Sequence, residues 1–200
     1  MLADLDKTLE AMLRRELPDI IAQQITISFA PPDSEFPPQT VSLPAIDLFL
    51  YDVRENRDVR NNYRQVVRGD SSATFIPAPI RVDCSYLVTA WSSDASPSRM
   101  EDEHRLLGEV MLVLLRNKTI PDDLLEGYLV GRTPEISTSV LQSGHLQSIA
   151  EFWQALGGKP KAALNYTVTI SIEPDAPSEA PVVGRSGIGG QMNPDPESVP

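Results

Sequence analysis

Residues 165–173 alternate without a break: Tyr166, Val168, Ile170 and Ile172 on one side, Asn165, Thr167, Thr169 and Ser171 on the other. A period of two is the mark of an extended strand, and a dry face backed by a wet one belongs to an antiparallel sheet. Such a strand obliges the rest of the chain to supply neighbours for its edges and a layer over its dry face. Residues 80–91 qualify first, with Val82, Cys84, Tyr86, Val88 and Ala90 on one face. Residues 45–53 follow. There Ile46, Leu48 and Leu50 oppose Phe49, Tyr51 and Val53, so both faces are apolar and a central place is expected. A shorter run, Ile25, Ile27 and Phe29, predicts a strand over 25–29.

Three stretches have helical period instead. Over 4–17, Leu5, Leu9, Met12 and Leu13 share a face, Glu10 and Arg14 pair at i,i+4, and Pro18 ends the run. Over 97–117, Leu106, Leu107, Val110, Met111, Leu114 and Leu115 make a broad stripe. Its start is signalled by Ser96 before Pro97, or by a capping box of Ser98 and Glu101. Over 146–156, Leu146, Ile149, Phe152, Trp153 and Leu156 line one side, and Gly157-Gly158 stop the helix. The expected fold is α+β: a single domain with a mainly antiparallel sheet, helices packed on one face, and an extended C-terminal tail.

The tail follows from composition. Residues 174–200 hold six of the 18 prolines, four of the 11 glycines and no aromatic residue. So little apolar surface does not offset the entropy of ordering. The domain is therefore expected over 1–173 and a flexible tail over 174–200, with a long loop at 31–44 carrying Pro31, Pro32, Pro37, Pro38 and Pro44. Net charge is −11, against a phosphate-binding footprint and so against nucleic acid as a partner. The single cysteine, Cys84, rules out an intramolecular disulfide and suits a reducing cytoplasm. No apolar run has the length of a membrane span, and the first residues have no basic stretch typical of a secretory signal.

No cluster predicts catalysis, a metal or a cofactor. Glu101, Asp102, Glu103 and His104 are adjacent, but only 101 and 104 share a helical face; carboxylates in a first turn are explained by the helix dipole. Ser143-Gly144-His145 sets a hydroxyl beside an imidazole without the first glycine of a nucleophile elbow, leaving a small Ser/His hydrolase as a rival reading. Gly184–Gly190 lacks the lysine of a phosphate loop. Cys84, with Val82 and Tyr86 as face-mates, reads as a buried small hydrophobe.

The arginines stand out. Arg54, Arg57, Arg60, Arg64 and Arg68 fall within 15 residues of an acidic chain. They either pair internally with Asp52, Glu55 and Asp58 or form a docking surface for acidic partner subunits.

Four segments taken in order carry a resemblance: residues 46–56 (IDLFLYDVREN), 86–91 (YLVTAW), 103–108 (EHRLLG), and 152–158 (FWQALGG) followed by Tyr166. Across about 1–173 the chain resembles the cap, or tail-terminator, proteins of phage-tail-like contractile injection systems. The resemblance implies a structural protein, not an enzyme. It implies a homo-hexameric ring at the baseplate-distal end of the particle, with the inner-tube and sheath proteins as partners, assembled in the cytoplasm. A monomeric adaptor of another assembly is the alternative.

Overall fold

The structure is a computed structural model and describes residues 1–59, 65–68, 72–93, 95–142, 149–158, 160–173, 176 and 178–181. In chain order the elements are α1 (Leu2–Glu16), α2 (Asp19–Gln24), β1 (Thr26–Ser28), β2 (Ala45–Glu55), β3 (Gln65–Arg68), β4 (Ser72–Ile76), β5 (Ile80–Trp91), α3 (Arg99–Arg116), β6 (Ser137–Val140), α4 (Ile149–Leu156), β7 (Ala163–Ile172) and β8 (Ser178–Pro181). The expected α+β class is what forms. The chain divides into two compact units: residues 1–62 with 79–174, and residues 63–78 with 175–200.

The larger unit is built on a five-stranded sheet in the order β1-β2-β5-β7-β6. All pairs are antiparallel except β1 with β2, which run parallel. The period-two patterns translate directly into faces. Ile46, Leu48 and Leu50 stand opposite Ala90, Val88 and Tyr86 across one ladder. Leu164, Tyr166, Val168 and Ile170 continue the same face across the next. A bulge at Tyr51 breaks the register of β2, after which Val53 faces Cys84.

That dry face is covered by α1 and α3, whose inward residues Leu5, Leu9, Met12, Leu13, Leu106, Leu107, Val110 and Leu114 are buried against it. Each such side chain removed from water contributes roughly 1.5–3 kcal/mol. Tyr86 is buried whole yet keeps its hydroxyl satisfied by donating to Asp6 Oδ1 of α1 at 2.9 Å. A turn over residues 126–129 hangs on α1: Thr8 Oγ1 accepts from the Glu126 N–H at 3.0 Å and Asp4 Oδ2 from the Tyr128 N–H at 3.2 Å.

The opposite face is divided. Its far half is polar, with Ser85 beside Thr167, Thr169 donating to Asp83 at 2.6 Å, and the buried Arg81 held by Ser171 Oγ at 2.6 Å and the Pro134 carbonyl at 3.2 Å. Its near half is apolar. There Phe152 of α4 meets Phe49 and Tyr51, each at 6.2 Å between ring centroids. So α1 and α3 share one face as expected, and α4 is placed against residues of the other.

The smaller unit carries a three-stranded antiparallel sheet, β3-β4-β8. Within the stretch expected as a tail, β8 pairs Ser178–Pro181 with β4. Edges also differ from expectation at two helices. The helix expected over 97–117 begins at Arg99, and Ser96 Oγ bonds Asp102 Oδ2 at 2.5 Å instead of capping. The helix expected over 146–156 begins at Ile149, and residues 146–148 lie outside those described.

Two glycines test this geometry in opposite directions. Gly127 has φ +52°, and a Cβ there would come within 2.6 Å of Asp4 Cγ. Gly127→Ala is expected to cost about 1–2 kcal/mol. Gly108 is mid-helix with nothing within 4 Å of its missing Cβ. Gly108→Ala is expected to raise stability by about 0.5–1 kcal/mol. Thermal unfolding of the two variants checks both signs.

Candidate interaction surfaces

The quoted segments converge at one end of the sheet, where β2 begins, β5 ends and β7 begins. Trp91 closes β5 and packs on Phe36 of the preceding loop at 4.3 Å between centroids. Its indole N–H donates to Thr89 Oγ1 at 2.8 Å. Lys161 lies over the same ring, with Nζ 3.7 Å from the centroid, and reaches Glu103 of α3 at 2.8 Å. Arg99 bonds the same Glu103 oxygen at 3.2 Å. Burial alone would raise the Glu103 acid; Lys161 and Arg99 more than offset it and hold it below the usual carboxylate range. Trp153 is buried, and Gly158 packs so tightly that a Cβ would stand 2.7 Å from the Pro32 carbonyl oxygen and 3.1 Å from the Trp153 ring.

This knot ties the first turn of α3, the end of β5, the approach to β7 and the 31–44 loop into one piece. Beside it opens a cleft of about 420 Å³ bordered by Trp91, Met100, His104, Leu107, Pro160 and Lys161. Two features here carry no sequence periodicity: Lys161, and Asp47, which sits on β2 opposite Thr89. Asp47 is wholly buried, and neither carboxyl oxygen meets a partner in hydrogen-bonding geometry. Burial pushes its acid up to about 7, tempered by the nearby Ser28 hydroxyl and Ala30 amide.

Three of the five arginines expected as a docking surface lie among the described residues. Arg54 pairs with Asp52 at 2.6 Å, and Arg57, 82% exposed, approaches Glu55 at 3.8 Å. Both belong to the larger unit, while Arg68 ends β3 in the smaller one. Arg60 and Arg64 lie outside the described residues, as do Ser143, Gly144, His145 and Gly184–Gly190. Cys84 is buried, and burial pushes its thiol up to about 12, which suits a hydrophobe and not a nucleophile. Of the acidic run, Glu103 is engaged by Lys161 while His104 is exposed. Among the described residues no three metal-ligating side chains come together, and no helix is long and apolar enough to cross a membrane.

The family model described as the Pvc16 N-terminal domain matches residues 4–185. No curated protein matches the chain in sequence. Two solved structures are similar over its whole length. One is the sheath/tube terminator of an extracellular contractile injection system, PVC, in the extended state, at 23% identity and a TM-score of 0.68. The other is the tube-terminating cap of the anti-feeding prophage, at 25% identity and a TM-score of 0.60. The chain spans 65% and 60% of their respective lengths.

Asp47 sets a pH dependence. A carboxyl whose folded pKa lies above its unfolded one favours folding at low pH, and that stability is lost as pH rises from the ordinary carboxylate range through about 7. Asp47→Asn removes the loss. Its melting temperature is expected to exceed that of the native chain at pH 8, with the gap narrowing toward pH 4. A gap independent of pH would show that Asp47 is not neutral in the folded protein.

Proposed function

The chain belongs to the Pvc16 N-terminal domain family, and from that premise we propose that it is a structural cap of a contractile injection particle. It forms a ring, a hexamer of identical copies, at the baseplate-distal end. There it ends growth of the inner tube and sheath and ties the two together. The observation that carries this reading is the likeness of the whole chain to a tube-terminating cap and to a sheath/tube terminator. Local features agree with a mechanical role. Lys161 with Glu103, and Arg81 with Ser171, fasten backbone elements to one another.

The physics of ending a polymer supports the same assignment. A tube grows because each ring offers a surface that the next ring copies. A terminator must fit the tube on one side and present something different on the other. Acidic partner subunits would meet the arginine segment, where Arg54, Arg57 and Arg68 are exposed. In this reading the segment after residue 173, whose residues 178–181 pair with β4, joins neighbours in the assembled particle.

Deleting the gene should leave tube and sheath proteins expressed but give particles that are unstable or of uncontrolled length, seen by electron microscopy. Normal particles of normal length would overturn the assignment, as would particle ends lacking a six-fold ring.

Charge reversal at Arg57 separates docking from internal pairing. An exposed pair contributes little to stability, so Arg57→Glu is expected to leave the melting temperature within about 1–2 °C. Incorporation into particles, measured by quantitative immunoblotting of purified particles, is expected to fall. Full incorporation would assign Arg57 to its pair with Glu55 alone.

A further inference from the structure

Helix α3 is apolar on more sides than the fold requires. Of residues 106–115 only Glu109 is charged. The inward side chains Leu106, Leu107, Val110, Val113 and Leu114 are buried. At spacings of four and three, Gly108, Leu112 and Leu115 form a second seam on the opposite side of the helix. Leu112 and Leu115 remain 43% and 42% exposed. A helix apolar all round is a buried helix, and a surface helix is polar outside. Gly108 agrees: among the described residues the space where its Cβ would be is open, and none of them explains a helix-weakening residue there.

We propose that this outer seam of α3 is covered by a second copy of the same chain, which presents Ile20 to it. Ile20, on α2, is 74% exposed, the highest value among the large apolar side chains described. Leu115 also borders a groove of about 240 Å³ with Lys118, Thr138 and Val140. The charges match. Arg116 and Lys118 stand beside the seam, whereas Ile20 directly follows Asp19. The two surfaces sit toward different ends of α3. Ile21 lines a groove with Arg105 and Leu106, and Leu115 lies nine residues further on, about 14 Å along the axis. Two copies joined this way make a heterologous contact, the kind that closes into a ring.

The inference rests on the ring reading above and assigns its copy-to-copy surface. The test is sedimentation velocity of the full-length chain over a wide concentration range. Native protein should self-associate. Leu112→Glu with Leu115→Glu should weaken association about tenfold or more without loss of fold. Asp19→Arg and Arg116→Asp should each weaken it by about tenfold. Their combination should restore affinity to within about threefold of native. As a check independent of affinity, Ile20→Cys and Leu115→Cys together should form a disulfide between copies under oxidation, since Cys84 is buried.

A native chain that stays monomeric at its highest concentration overturns the contact. So do single charge reversals without effect, or a double reversal that fails to restore association. If the proposed contact fails while six-fold rings are still imaged at particle ends, the ring stands and this surface is wrong. If the rings themselves are absent, the cap reading falls.

Discussion

Everything in the larger unit depends on β5 being paired along nearly its whole length on both sides. Residues 82–91 of β5 face β2, and residues 80–89 face β7. A strand held by two ladders cannot slip by one residue without exchanging every inward and outward side chain. That fixes Cys84, Tyr86, Val88 and Ala90 against α1 and α3, and Asp83, Ser85, Leu87 and Thr89 on the reverse. The same parity puts Trp91 where Lys161, Phe36 and Glu103 gather, and Asp47 opposite Thr89. The chemistry at that end of the sheet is thus a consequence of register, not of local sequence.

The elements legible in the sequence are those whose own periodicity suffices. Helix α1, strands β2, β5 and β7, and helix α3 each carry four or more apolar residues at a single period, so burial alone identifies them. The strands that were missed, β3, β4, β6 and β8, run four or five residues and take their conformation from a partner. The Pro-rich composition that predicts a coil after residue 173 does not exclude β8, because Pro181 sits at its end, where a missing N–H is tolerated. The parallel pairing of β1 with β2 has no signature in three residues. Side-chain placement was legible in the same measure. Arg54 and Asp52, two apart on a strand, share a face and pair. Lys161 on Glu103 joins residues 58 apart in the chain, and nothing in either segment announces it.

The buried and half-buried polar groups divide into two kinds. Arg81 and Glu103 are surrounded by partners and hold segments together: Arg81 binds the loop at Pro134 and Glu135 to the sheet, and Glu103 gathers Arg99, Lys161 and the Ser92 amide. Satisfied networks of this sort rigidify a fold. Asp47 is the other kind, a wholly buried carboxyl whose oxygens meet no partner in hydrogen-bonding geometry among the described residues. Burial raises its acid to about 7, and Ser28 and Thr89 flank it on the neighbouring strands.

The surface of the larger unit is correspondingly uneven. One half of the sheet's outer face carries hydroxyls and charges, while the outer seam of α3 carries Leu112 and Leu115. Apolar surface of that kind is tolerated on a free chain only in small patches. The proposed ring would resolve it without creating a growing polymer, because a heterologous contact that closes consumes both of its halves in every copy. The arginine-bearing end of β2, with Arg54 and Arg57, is exposed as well. Surfaces rich in paired charges and hydroxyls favour partners chosen by complementary charge over indiscriminate stacking. On the proposed reading, closure within the ring and termination along the particle axis draw on different parts of the same fold: the second apolar face of α3 for the first, the arginine-bearing end of β2 for the second.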